Sequence, residues 1–412
     1  MIKRVLGFGT FPTVKPLHGG QRRAAAFQRF YRSVGVEYVY TCIYDSDHYP
    51  SSLVGPHDIP LIPPESDEGP IPLIGDILSG RQGADNEVSF QHFLNVVEQL
   101  KPDALQLEQP FMWPLAKRLR EVLGPRTLPL IYSSYNVEGP LKEAILAGNG
   151  VSPDLHRRIC DGIEQMEAQV CREAALVVCV TAAEQSHYLQ YCSPDNVIVV
   201  PNGVDRPPST MHDFAPCREI FQDRPFVFTV GSAYPPNIEG ASRYLFENGA
   251  FMVPPVKSIA VCGGVCAGIL NHPSYQRFPE ANSRRVHFFP EIDDSQLWVV
   301  KTASHVVALP IDTGGGSNLK TAEALALAKW IVATPVAMRG YEGFTGAEGL
   351  IMANDSASFR RAIAQALRSA PLMISDASRQ QRESVYWDRC FEATGLADRL
   401  GRVPLGCPLK SD

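Results

Sequence analysis

Short apolar runs alternate with helix-periodic stretches along most of this 412-residue chain, and they do so in two successive series. That alternation constrains the fold most, because strands joined through helices pair in parallel and must be covered on both faces. The first series has strand-like runs at Val5–Phe8, Val36–Ile43, Ala104–Leu107, Leu128–Tyr132, Leu176–Val180 and Val197–Val200. Helical stretches lie between them, at Gln21–Ser33, Phe90–Leu100, Trp113–Leu123 and Asp154–Ala175. A turn-rich run without a core pattern, Pro201–Cys217, then interrupts the chain. The second series starts at Phe226–Val230 and continues through Ser258–Cys262, Val286–Phe289, His305–Leu309 and Trp330–Thr334. Helices at Ser356–Ser369 and Ser375–Phe391 close it. The chain is too long for one compact core. The expectation is an α/β protein with two parallel-sheet domains facing across a cleft. The first spans 1–205 and the second 206–375, with 376–412 crossing back as a helix and tail. Residues 48–76, rich in Pro, Gly and acidic residues, read as an irregular insertion over a site.

The net charge of −6 argues against a nucleic-acid binder, which would carry a basic domain. A local positive site for a small anion is still allowed. No apolar stretch approaches the roughly 20 residues that span a bilayer. Lys3 and Arg4 precede a brief apolar run, but Gly7, Gly9 and Pro12 break it, so it reads as a first strand rather than a signal peptide. The ten cysteines include no CxxC pair. Cys262 and Cys266 read as small buried hydrophobes in a reducing cytosol rather than metal ligands.

The segment 310–334, PIDTGGGSNLKTAEALALAKWIVAT, is the most informative stretch. A strand runs into three glycines, then into an amphipathic helix from about Asn318 to Ala328, then into a second strand. Backbone N–H groups of such a turn can close on an anion, and the helix N-terminus adds roughly half a positive charge there. Lys320 can meet a phosphate, and Glu323 can accept hydrogen bonds from a ribose diol. The segment therefore suits a phosphorylated, hydroxyl-bearing ligand such as a nucleotide. Two better-known fingerprints fail. Gly314–Thr321 would be a P-loop only if Leu319 were glycine, and Gly7-Phe8-Gly9 lacks the third glycine of a dinucleotide motif, with Pro12 in its place.

Two segments of the first domain have open alternatives. His18-Gly19-Gly20 follows the first strand, and is either a plain strand-to-helix turn or a close approach of backbone to ligand. In SSYNVEGP (Ser133–Pro140), Tyr135, Asn136 and Glu138 either face the cleft or form a helix cap. The helix after Gly20 puts Ala24, Phe27 and Tyr31 on a core face, and Arg22 and Arg29 on a basic face open to solvent, a phosphate or an anionic membrane surface.

These segments resemble, in order, the signature of family 4 glycosyltransferases with the GT-B fold. GGGSNLKTAEALALAKWIVATPV is similar to the donor-site motif of the subgroup with a Gly-rich loop. FGTFPTVKPLHGG resembles the amino-terminal glycine loop, YSSYNVEG the acceptor-side "HNvE" segment, and VIVVPNGVD the crossover between domains. FTVGSAYPPNIEGASRYL resembles the opening of the second domain, and VHFFPEIDD the segment near the nucleobase. The resemblance implies a metal-independent enzyme that moves a sugar, with retention, from a nucleotide-sugar donor to a glycan or lipid-linked acceptor. Surface polysaccharide or glycoconjugate synthesis at the inner membrane face is the implied setting. It assigns donor binding to Gly19, Gly20, Gly231, Asn237, Gly314, Gly315, Gly316, Ser317, Asn318, Leu319, Lys320 and Glu323, and catalysis to Lys320, Glu138 and Asn136.

Three departures stand out. Gly315 replaces the first glutamate of a pair, Tyr135 replaces a common histidine, and Tyr234–Asn237 replaces the usual Arg/Lys pair. Lys320, Arg22 or Arg23 would have to supply the missing charge. A nucleotide-sugar 2-epimerase of the same fold, and a non-catalytic member that binds a glycan or partner, are the alternatives.

Overall fold

The computed structural model describes residues 2–62, 75–124, 128–148, 151–208, 213–254 and 256–404. Residues 63–74 of the expected insertion at 48–76, part of the turn-rich run after Pro201 and the end of the tail lie outside the described residues. The chain forms two compact units, residues 1–201 with 391–412, and residues 202–390.

The first unit is a seven-stranded sheet of β1 (Arg4–Gly9), β2 (Glu37–Tyr44), β3 (Ile59–Pro60), β4 (Ala104–Leu107), β5 (Leu130–Ser133), β6 (Ala174–Cys179) and β7 (Val197–Val199). Their order is β3-β2-β1-β4-β5-β6-β7, and every pairing is parallel. The second unit contains β8 (Phe226–Val230), β9 (Ser258–Cys262), β10 (Val286–Phe289), β11 (Val306–Leu309), β12 (Trp330–Ala333) and β13 (Leu350–Met352). Their order, β10-β9-β8-β11-β12-β13, is again wholly parallel. Both sheets have the Rossmann order, in which the chain reverses direction beside its first strand and leaves a crevice at the carboxyl ends there.

The apolar runs behave as central parallel strands should. Val307 and Leu309 of β11 enter one core cluster with Phe226 and Phe228, while Val306 and Ala308 enter the other with Val227. Period-two alternation thus feeds both faces of the sheet. In the first unit, Ala24, Phe27 and Tyr31 are buried as the helical pattern requires.

Two departures have structural causes. β3 lies within the segment read as irregular, where Ile59 pairs with Ile43 of β2. The last expected helix, Ser375–Phe391, is two helices, Asp376–Glu383 and Trp387–Thr394. It breaks because Tyr386 forms a bridge with Val204, and the Trp387 amide donates to the Val204 carbonyl. Beyond the break Phe391 stacks on Phe30, with centroids 4.5 Å apart, so the C-terminal segment belongs to the first unit from there onward. Gly7 and Gly9 are glycine for packing reasons: a Cβ on either would lie 2.1 Å and 2.0 Å from the hydroxyls of Tyr38 and Tyr40.

Gly240 is another such position. A Cβ there would fall 2.2 Å from the carbonyl oxygen of Pro310, so helix Pro235–Ala241 packs directly on the loop after β11. Backbone cannot yield as a flexible side chain can. Gly240→Ala is expected to lower stability by about 1–3 kcal/mol, read as a shifted denaturation midpoint at unchanged slope.

Candidate functional site

In the second unit β11 pairs with β8 on one side and β12 on the other. Three loops therefore emerge side by side at its carboxyl end: 231–234 after β8, 310–318 after β11 and 334–341 after β12. The middle one is the glycine turn. Gly314 has φ +138° and Gly316 φ +59°, conformations that a side chain would strain. Asn318 caps helix Leu319–Ala326, its Oδ1 accepting the Lys320 amide at 3.2 Å. The Ser317 hydroxyl is shielded from solvent and finds no hydrogen-bond partner among the described residues.

Lys320 and Glu323 lie three residues apart on one helix face. The Lys320 ammonium donates to Asn237 Oδ1 at 2.7 Å, and Asn237 in turn donates to Ser232 O and Oγ at 3.2 and 3.1 Å. The Tyr234–Asn237 segment thus still reaches the site, through an amide that orients the remaining cation. Gly231 sits at the end of β8, where its amide donates to Cys262 O; a Cβ there would lie 3.2 Å from that of Asn237. Glu323 faces Lys301, with 3.4 Å between Nζ and Oε2, and Lys301 lies over the Trp298 ring.

Sequence reasoning missed two members of this constellation. Lys301 ends the helix before β11 and reads as a surface residue. Arg339 follows β12, and its Nε donates to Gly316 O at 2.6 Å and its NH2 to Gly315 O at 3.1 Å. The only signal for Arg339 is its place just past a strand that neighbours β11.

The residues singled out in the first unit are placed differently. Gly19 is exposed at the start of helix Gly19–Ser33. The space beside Gly20 is taken by Phe11 and Tyr135, 2.9 and 3.2 Å from a built Cβ. Asn136 hydrogen-bonds Glu138, whose carboxyl is pushed up to about 8, mainly by burial. Glu138 is only 4% exposed, and its amide donates to Glu167, which also accepts from the hydroxyls of Tyr132 and Tyr188. Arg23 is buried, donates to Val200 O at 3.0 Å and lies over Phe27, so its charge is engaged inside the first unit. Tyr135 donates to the buried carboxylate of Glu108 at 2.7 Å.

Cys262 and Cys266 are both buried, with Cys266 Sγ donating to Val261 O. Among the described residues no group of three or more His, Cys, Asp or Glu converges as metal ligands would, and no helix is long and apolar enough to cross a membrane.

With this geometry in place, the chain can be set beside known proteins. No protein-family model matches it, and no curated protein sequence does. Solved structures do. Sucrose-phosphate synthase from Thermosynechococcus elongatus superposes with TM-score 0.67 at 13% identity, over 97% of this chain and 98% of that one. Anabaena HepE, solved with UDP and glucose, gives 0.63 at 14%, over 98% and 100%. A Listeria monocytogenes protein described as a UDP-N-acetylglucosamine 2-epimerase gives 0.57 at 12%, over 97% and 95%. At such identities the likeness establishes the fold: two Rossmann-like parallel-sheet domains of the GT-B architecture.

Burial draws the Lys320 ammonium down to about 8, against a smaller upward pull from Glu323. A base whose folded pKa lies below its unfolded one weakens the fold at low pH, and that penalty fades as pH climbs through the window between the two values. Wild type is therefore expected to gain stability relative to Lys320→Met between about pH 8 and about pH 10. Denaturation free energies of both proteins across that range test it. A difference independent of pH would mean that the ammonium is solvated.

Proposed function

We propose that this chain is a retaining glycosyltransferase that uses a nucleotide-sugar donor. One observation carries the reading: at the reversal point of the second sheet, a glycine turn, a helix N-terminus, the Asn237-held ammonium of Lys320 and the carboxylate of Glu323 share one helix–loop unit. Neighbours of the same architecture were solved with UDP and with UDP and glucose, which supports a nucleotide-sugar as the ligand. The resemblance of the loop sequence to the donor-site motif of family 4 supports the same reading.

In this reading Glu323 accepts hydrogen bonds from the ribose diol. The turn amides and Lys320 hold the diphosphate, and the Ser317 hydroxyl is free to meet a donor oxygen. The acceptor hydroxyl oxygen bonds to the anomeric carbon as the bond from that carbon to the diphosphate oxygen breaks. The hydroxyl proton passes to the departing phosphate oxygen, leaving a glycoside and a nucleoside diphosphate. Negative charge grows on the leaving group, where Lys320 and the helix N-terminus already lie, and such preorganised charge is worth several kcal/mol. Asn136 and Glu138 support the acceptor side, with Glu138, from its burial, acting through Asn136 rather than on the sugar itself. The acceptor is a glycan or a lipid-linked glycan.

Incubation with UDP-, GDP-, ADP- and dTDP-sugars, with and without candidate acceptors, should show acceptor-dependent release of the nucleoside diphosphate. Release without acceptor, together with an altered sugar, would favour the second reading, a 2-epimerase, for which the Listeria neighbour speaks. Binding without either reaction would mark a non-catalytic member.

Two substitutions should separate the roles. Glu323→Ala is expected to raise the donor KM about tenfold with little change in kcat, because two hydrogen bonds to a charged group are lost. Lys320→Ala is expected to lower kcat about 100-fold or more. Because Lys320 and the helix supply the positive charge, chelation by EDTA should leave the rate unchanged. Unaltered kinetics in both variants would remove the site.

A further inference from the structure

Three consecutive glycines have no stiffness of their own, and glycine has more conformational freedom to lose than any other residue. The conformation at Gly314–Gly316 must therefore be imposed from outside. Arg339 does this. Its guanidinium takes two carbonyls in succession, Gly316 O through Nε and Gly315 O through NH2.

A trans peptide unit points its C=O and its N–H in opposite directions. The unit that offers Gly315 O carries the Gly316 amide, and the unit that offers Gly316 O carries the Ser317 amide. Drawing both carbonyls onto Arg339 turns both amides away from it. Among the described residues neither amide has a hydrogen-bond acceptor, although Gly316 is buried. The Ser317 hydroxyl beside them is equally unsatisfied. Two amides are thus held ready on the side opposite the guanidinium, and Ser317 adds an unsatisfied hydroxyl.

The segment that carries Arg339 is itself fixed. Thr334 Oγ1 donates to Ile311 O, ahead of the glycine turn, and Thr321 Oγ1 donates to Ala337 O at 2.6 Å from the helix after it. Tyr341 closes back on Met338 O, and its hydroxyl donates to Asn202 O at 2.9 Å. Arg339 therefore reaches the turn from a support tied to both of its flanks.

We infer that Arg339 is a positioning residue, whose guanidinium sets the glycine turn so that the Gly316 and Ser317 amides meet the diphosphate of the donor. The inference rests on the donor-site reading above for its ligand, but not for the clamp itself. It also assigns a role to a cation that the sequence pattern left out. Arg339 acts through the backbone, where Lys320 acts on the ligand.

The test has two arms. In the first, amide hydrogen exchange is followed in ligand-free protein. Arg339→Gln is expected to speed exchange across 314–318 several-fold and to leave the rest of the second unit unchanged. In the second, titration calorimetry compares wild type and variant with UDP, GDP, ADP and dTDP, and with the matching nucleosides. Loss of two charge-assisted hydrogen bonds should weaken diphosphate binding by about tenfold or more, while nucleoside binding stays within about twofold, because the nucleoside lacks the group that the amides hold.

Arg339→Lys keeps the charge but not the fork. It should lose diphosphate affinity too, and it serves if the glutamine variant does not fold. Added guanidinium ion should partly restore Arg339→Ala. Unchanged exchange would overturn the clamp. Diphosphate affinity kept within twofold, or diphosphate and nucleoside affinity lost in parallel, would overturn its role in binding. If wild type binds no nucleotide while the variant still shows faster exchange, the donor-site reading fails and the clamp stands.

Discussion

The parallel ladder around β11 is the constraint on which the second unit depends. Val306 pairs with both Val227 and Trp330, and Val307 with both Phe228 and Ile331. This pairing fixes where three strands end, and so places the loops that follow them within reach of one another. Parallel strands can do this only because helices return the chain to the same edge after each one. The alternating burial of β11 into two core clusters holds the register, since a slip by one residue would exchange its two faces.

On that frame the polar groups are arranged in pairs that orient one another. Asn237 holds Lys320, Lys301 faces Glu323, and Arg339 holds the glycine carbonyls. Each pair joins residues from different strand–helix units, so none exists until the sheet has formed. The first unit follows the same logic with more burial. Glu108 accepts from Tyr135, Tyr38 and Gln106, and Glu167 accepts from Tyr132 and Tyr188. Carboxylates this deep survive only with several donors. They make the carboxyl edge of the first sheet a wired, specific surface rather than a generic apolar one.

Much of the fold was legible in the sequence. The runs Ala104–Leu107, Phe226–Val230, Ser258–Cys262 and Val286–Phe289 coincide with strands β4, β8, β9 and β10. A buried parallel strand leaves a near-continuous apolar signature, and these four are of that kind. The two-residue β3 and the half-buried β13 leave little. The broken C-terminal helix could not be read either, because its break is set by Val204, which lies far away in sequence. In the candidate site, the glycine turn at Gly314–Gly316 and the helix that carries Lys320 and Glu323 were legible because a strand–glycine–helix pattern is local. Lys301 and Arg339 were not, because a lone cation near an element end looks like any surface residue. Gly20 was legible as a required glycine but not for its reason, the packing of Phe11 and Tyr135.

The sequence by itself determined the two series of parallel strands, the place of a glycine turn free of Cβ atoms and the capped helix that follows. These are decided by neighbours within a few residues, through apolar periodicity, missing Cβ atoms and the Asn318 cap. Only the tertiary structure decided which distant groups complete the site. Arg339 meets Gly315 and Gly316, and Asn237 meets Lys320, across 24, 23 and 83 residues. Contacts of that kind depend on strand order, and strand order is a property of the assembled sheet rather than of any one segment.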